Sequence, residues 1–145
     1  MKTVEQIAIR RPRQYEDFIQ GLAKTRTANA PFKAMYDVLV FAASLGFKMR
    51  LRETFNQKDG EIEYRLMQNN KYFETLMSAM AVLQNIGDHA CLSAERLEER
   101  VSLFEEYMCG GLSFIFKDLV VDEYKGSHIV YFETLISNQL RENRD

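Results

Sequence analysis

The strongest constraint in this chain is an apolar stripe that holds helical phase from residue 97 to residue 119. Leu97, Val101, Phe104, Met108, Leu112, Ile115 and Leu119 fall within about 80° of one another when successive residues are turned by about 100°. The stripe passes straight through Gly110-Gly111. Each internal glycine costs a helix about 1 kcal/mol relative to alanine, and a break would shift the phase. The spacing therefore predicts one continuous helix over 94–120. Gly111 lies on the stripe and reads as a point where another helix crosses closely. Gly110 projects to the opposite side and reads as the weak place for a bend, so Gly110→Ala is expected to be neutral or stabilising.

Helical spacing recurs along most of the chain. Arg10-Arg11-Pro12 reads as a loop entering a first helix with Tyr15, Phe18, Ile19 and Leu22 on one face, since proline is tolerated at a helix start. Pro31 and Phe32 then open a second helix carrying Phe32, Met35, Tyr36, Leu39, Ala42 and Ala43 inward, with Gly46 as its C-cap. From Phe47 the pattern weakens. The stretch FKMRLRE alternates apolar and basic residues, as a short strand or an extended connector would, and NQKDGE has the composition of a loop. A broad apolar face returns between Lys71 and Gly87 through Tyr72, Phe73, Leu76, Met77, Met80, Leu83 and Ile86, and Ser93 suits an N-cap. Ser127 after Gly126 would cap a last helix with Ile129, Phe132, Leu135, Ile136, Gln139 and Leu140 inward.

The 145 residues are 46% hydrophobic, enough for one domain to bury a proper core. The expected architecture is all-α: a compact bundle of five to six helices over residues 1–145, with one long helix in the C-terminal half and flexible ends at 1–13 and 141–145. No leader-like apolar stretch or run of about 20 apolar residues occurs, so a cytoplasmic protein without a membrane span is expected. Cys91 and Cys109 then read as reduced, buried thiols.

Reactive chemistry is sparse. His89 and Cys91 form an H-x-C pair whose only further candidate ligands are Cys109 and His128, short of the spacing a four-ligand zinc site needs. Motifs of serine hydrolases, P-loops and dinucleotide sites are missing. Glu105 and Glu106 are adjacent and diverge by about 100° on a helix, which suits a solvated face better than a catalytic carboxylate pair. No catalytic residue, metal or cofactor is expected. A site assembled from residues that read as structural is the remaining enzyme hypothesis.

Charge is more informative. Residues 1–60 carry a balance of +5 and residues 61–145 a balance of −7. The cations Arg10, Arg11, Arg13, Lys48, Arg50 and Arg52 are candidates for contact with DNA phosphates or an acidic partner. The acidic stretch AERLEERVSLFEEY reads as an exposed face laced by Glu95, Glu98 and Glu99 with Arg96 and Arg100.

Two separated blocks carry a resemblance. PFKAMYDVLVFAASLGFKMRLRE, with Phe41, Ala42, Ala43, Gly46 and Phe47, precedes LFEEYMCGGLSFI, with Phe104, Glu105, Glu106, Tyr107, Gly111 and Leu112. In that order they resemble the DNA phosphorothioation-associated protein 4 family of small bacterial proteins, and RRPRQYEDF is similar in character. Residues 54–92 lie outside the likeness. The resemblance implies a setting in prokaryotic anti-phage defence, beside systems that place sulphur in the DNA backbone. The leading expectation is a non-enzymatic accessory or adaptor subunit that binds a larger protein component, with Phe104, Glu105, Glu106, Tyr107, Gly110 and Gly111 in helix packing or partner contact. The alternative is a protein that binds the DNA backbone through its basic N-terminal half. A second copy of the chain is a further candidate partner.

Overall fold

The computed structural model describes residues 2–25, 28–121 and 128–142. Six α-helices are found among them: α1 (Glu16–Gly21), α2 (Met35–Met49), α3 (Tyr64–Met67), α4 (Phe73–Gln84), α5 (Leu97–Val121) and α6 (His128–Glu142). They are joined by a two-stranded antiparallel sheet of β1 (Ala8–Pro12) and β2 (Lys58–Glu63). The fold is thus mainly helical but not all-α.

The sheet corrects two readings. Arg10-Arg11-Pro12 lies in a strand instead of a loop, and most of NQKDGE belongs to its partner. Ile9 faces Ile62 across the ladder and Arg10 faces Glu61, with an irregularity between Arg11 and Pro12, where the proline has no N–H to offer. Ile9 and Ile62 are buried, and that one apolar pair docks the sheet on the core. The N-terminal segment forms a short 3-10 turn, Val4–Gln6, ahead of β1.

α2 and α5 form the centre. α5 runs unbroken through Gly110-Gly111 and buries Val101, Phe104, Met108, Leu112 and Ile115, each fully buried large side chain contributing about 1.5–3 kcal/mol. At the crossing the backbones nearly touch. A Cβ on Gly111 would lie 1.8 Å from the carbonyl oxygen of Ala42, and one on Gly46 would lie 2.0 Å from that of Tyr107. Gly46 is therefore a packing residue of α2 and not its C-cap. The helix continues through Phe47, Lys48 and Met49, so of the expected strand or connector only residues 50–53 leave it as a connector.

Gly110 also departs from expectation. It does not face outward: a Cβ there would sit 2.2 Å from the carbonyl oxygen of Leu51 and 2.6 Å from its carbonyl carbon. The segment leaving α2 turns back over α5, so two consecutive glycines admit two successive pieces of backbone, α2 at Ala42 and the chain beyond it at Leu51.

Aromatic contacts hold the remaining helices. Phe73 of α4 meets Phe104 edge-on at 5.1 Å, and Phe132 of α6 meets Phe32 and Phe41 at 5.0 and 5.4 Å, distances at which such pairs attract. Tyr131 donates to Asp118 of α5 at 2.8 Å. Helix α1 is short, and Phe18 packs on Phe116. α2 begins at Met35, past the expected start at Pro31-Phe32, and the Asp37 carboxylate accepts the Ala34 N–H. Ser93 precedes a 3-10 turn, Ala94–Arg96, that leads into α5, without a side-chain cap bond.

Several expected core positions are exposed. Leu83 and Ile86 point to solvent, as do Tyr72, Ile136 and Leu140, while Phe132 and Leu135 are buried. The expected cap at Gly126-Ser127 and the end of the polar tail at 143–145 lie outside the described residues.

Candidate functional site

The six candidate cations fall into two groups. On β1, Arg10 is clasped by Glu105 of α5, which is only 3% exposed. The carboxylate accepts the Arg10 backbone N–H at 2.7 Å and the guanidinium at 2.9 and 3.2 Å. That bonding raises the Arg10 pKa above its ordinary value. Phe55 lies under the same guanidinium at 4.8 Å. Arg11 pairs with the buried Glu16 at 2.8 Å, and Gln20 donates to the same carboxylate. Arg13 stays exposed beside Phe55 and Gln57.

Glu105 is thus not a solvated carboxylate. A buried anion costs several kcal/mol unless it is paired and hydrogen-bonded, and one main-chain and two side-chain donors from a strand meet that requirement. Part of the charge asymmetry between the halves is consumed inside the molecule. Arg52 pairs likewise with Glu106, and Lys2 reaches Glu98 at 3.6 Å. On the acidic stretch itself, Arg96 pairs with Glu99 at 3.0 Å and with Asp88. Arg100 instead donates to the carbonyls of Cys91 and Ser93.

The second group lies at the C-terminal end of α2. Lys48, Arg50 and Arg52 line one groove of about 570 Å³ together with Phe47, Leu83, Gln84 and Tyr107. Its geometry starts in the backbone. The N–H of Leu51 returns to the carbonyl of Gly46 at 2.8 Å, and that of Arg50 to the carbonyl of Phe47 at 3.3 Å, the bonding of a Schellman helix end. Such an end needs a left-handed residue, normally glycine. Here Arg50 takes it with φ 58°, at a cost of about 1–2 kcal/mol for an L-residue. Arg50 is exposed, and among the described residues no carboxylate pairs with it.

Arg52 is held differently. Its pKa is raised, first by hydrogen bonding to Glu106, and its guanidinium lies 5.5 Å from the Tyr107 ring. Tyr107 in turn packs edge-on against Phe47 at 5.2 Å. Glu106 and Tyr107 therefore orient a cation at the groove wall, whereas Phe104, Gly110 and Gly111 serve the interior.

The groove continues into apolar surface on both sides. Lys48 also lines a shallow groove with Phe41, Leu45, Leu135, Ile136 and Leu140. Leu83 also lines one with Val82, Ile86, Cys91 and Leu92. Ile86 is 85% exposed and Leu83 60%. Helical spacing predicts an inward position for both. The usable signal was that the apolar arc from Lys71 to Gly87 is wider than one packed face requires.

The cysteines are inert by position. Cys91 and Cys109 are free and buried, and burial pushes the Cys109 thiol up to about 11, far from the thiolate a nucleophile needs. His89 is exposed. Among the described residues no group of three or more His, Cys, Asp or Glu is placed to hold a metal ion, and no helix is long and apolar enough to cross a membrane.

Fold and surface together define a small, mainly helical protein whose distinctive chemistry lies in a cationic groove bordered by apolar side chains. The chain belongs to the DNA sulphur modification system-associated protein 4 family, whose sequence profile matches residues 8–144. That membership ties it to DNA sulphur modification systems. No curated protein and no solved structure matches it.

Proposed function

We propose that this chain is a non-enzymatic accessory component of a DNA sulphur modification system, acting in the cytosol and in anti-phage defence by binding a larger protein component. The observation that carries this reading is how the molecule spends its cations. Arg10, Arg11 and Arg52 are engaged by Glu105, Glu16 and Glu106, whereas Val82, Leu83, Ile86 and Leu92 stay exposed in one area. A surface that binds a phosphate backbone gains affinity from cations that displace counterions; one that binds protein gains it from apolar side chains removed from water. The inert Cys109 and the arginine-bound Glu105 and Glu106 support the non-enzymatic part.

Co-purification of the tagged chain with the remaining components of its system tests the reading. Retention of one component in moderate salt is the expected result, and its absence from every preparation overturns the proposal. The second reading, DNA backbone contact, is favoured by the gathering of Lys48, Arg50 and Arg52 in one groove. It predicts duplex binding that weakens steeply as salt rises, and no duplex binding at low salt removes it. Sedimentation of the purified chain tests a second copy as partner.

A further inference from the structure

We propose that the groove at the end of α2 docks an acidic amphipathic segment of a protein partner, with carboxylates on Arg50 and Arg52 and apolar side chains on Leu83 and Ile86. The inference rests on the accessory reading above and adds the surface and the chemistry of its occupant.

Arg50 carries the argument. A helix end of this type takes glycine at no conformational cost, yet this one holds an arginine with φ 58°. Nothing among the described residues repays that placement with an ion pair. Backbone strain of this kind persists where the side chain serves a purpose. The guanidinium is exposed beside a second one, Arg52, whose direction is already set by Glu106 and the Tyr107 ring. An arginine fork matches a carboxylate with two parallel bonds, and a preoriented fork loses less freedom on binding.

The surroundings choose between acidic ligands. Leu83 lies in the wall shared by the cationic groove and the apolar one, and Ile86 lies just beyond it. A DNA duplex would meet the arginines with phosphates but leave these apolar side chains wet. A helix with Asp or Glu on one edge and Leu, Ile or Phe on the other covers both parts at once, as in recognition of a helix by a groove.

Two measurements on the full chain test the proposal. In the first, wild type, Arg50→Gly, Ile86→Asp and Lys33→Glu, a control that removes exposed positive charge outside the groove, are co-expressed with the other components of the system and purified through a tag. In the second, the same proteins are titrated by fluorescence anisotropy into a labelled synthetic helix bearing Glu on one edge and Leu on the other, and into a short DNA duplex. Wild type and Lys33→Glu are expected to retain the component and bind the helix. Arg50→Gly and Ile86→Asp should each weaken the helix by at least about tenfold and lose the component. Arg50→Gly keeps the helix end that glycine favours, so a melting temperature no lower than that of wild type separates lost binding from lost fold.

If the component is retained equally by all four proteins, the groove is not the docking surface and the inference falls while the accessory reading stands. If no component is retained but the helix binds through Arg50, the groove assignment holds and the accessory reading falls. Duplex binding that depends on Arg50, with no binding of the helix, overturns the inference in favour of a nucleic-acid site.

Discussion

Glu105 and Glu106 are neighbours on α5, and each holds an arginine from the basic half of the chain, yet the two pairs do different work. Glu105 is buried and takes three donors from Arg10, one of them main-chain. Glu106 is partly exposed and steers Arg52 along the wall of an open groove. The turn of about 100° between them sends one carboxylate under the sheet and the other to the surface. The same residue pair is a fastening in one place and a means of orientation in the other, and burial decides which.

The sharpest way to break that comparison is at Glu105. Glu105→Ala leaves the Arg10 N–H and guanidinium without their acceptor and detaches β1 from α5. Removing one partner of a buried pair costs about 3–5 kcal/mol; since Arg10 is partly exposed and can recover water, a loss of about 3 kcal/mol is expected in denaturant unfolding. Glu106→Ala should cost less than about 1 kcal/mol, as partly exposed pairs do. Equal losses would refute the division of labour.

Gly110→Ala comes next, with an expected loss of about 1–3 kcal/mol from overpacking. The added methyl meets the main chain of Leu51, which has little room to yield, and Leu51 lies between Arg50 and Arg52. The substitution should therefore lower stability and misplace the groove together, giving weaker binding as well as an earlier melt. A neutral result would return Gly110 to the outward-facing role its helical phase suggests.

That difference shows what was legible in the sequence. A period over seven residues of α5 survives in any environment, so the long helix and the Gly111 crossing could be read directly. Gly110 could not, because what covers it is a segment some sixty residues away in sequence. The sheet was hidden for a similar reason. β2 has a single buried side chain, Ile62, which leaves no alternation to detect, and its partner lies beyond two helices. Gly46 misled because glycine near a helix end usually signals the end, whereas this one makes room for the Tyr107 carbonyl and the cap fell to an arginine. The cations were visible as residue types, but which of them are paired depends on carboxylates far along the chain.

Cys109, one residue before the glycine pair, gives a pH test of the interior. Burial raises its thiol from 9.0 to about 11, so the unfolded chain loses this proton first. The stability it contributes is fully present below pH 9 and is lost as pH rises towards 11, a decline of up to about 2 kcal/mol. Cys109→Ala should flatten that part of the stability profile, although Tyr64, raised to about 12 chiefly by burial, leaves a further decline above pH 10 in both proteins. An unchanged slope between pH 9 and 11 in the variant would show that the thiol is not protected as its surroundings imply.

The smallest expected effect bears most directly on the groove. Arg50→Gly removes a left-handed arginine and supplies the residue that the helix end favours, which relieves about 1 kcal/mol of conformational strain. Glycine also gives the unfolded chain more freedom, and that offsets part of the gain. The net expectation is a stability between unchanged and about 1 kcal/mol higher, read as a small rise in the melting temperature. The Arg10 clasp has no counterpart to this behaviour, since any change that breaks it should destabilise. If Arg50→Gly melts clearly below wild type, the guanidinium is supporting the fold through contacts of its own, and Arg50 belongs with Arg10 among the fastenings. If it melts at or above wild type while affinity for an acidic helix drops, the arginine is kept at the cost of stability, as a side chain used for recognition would be.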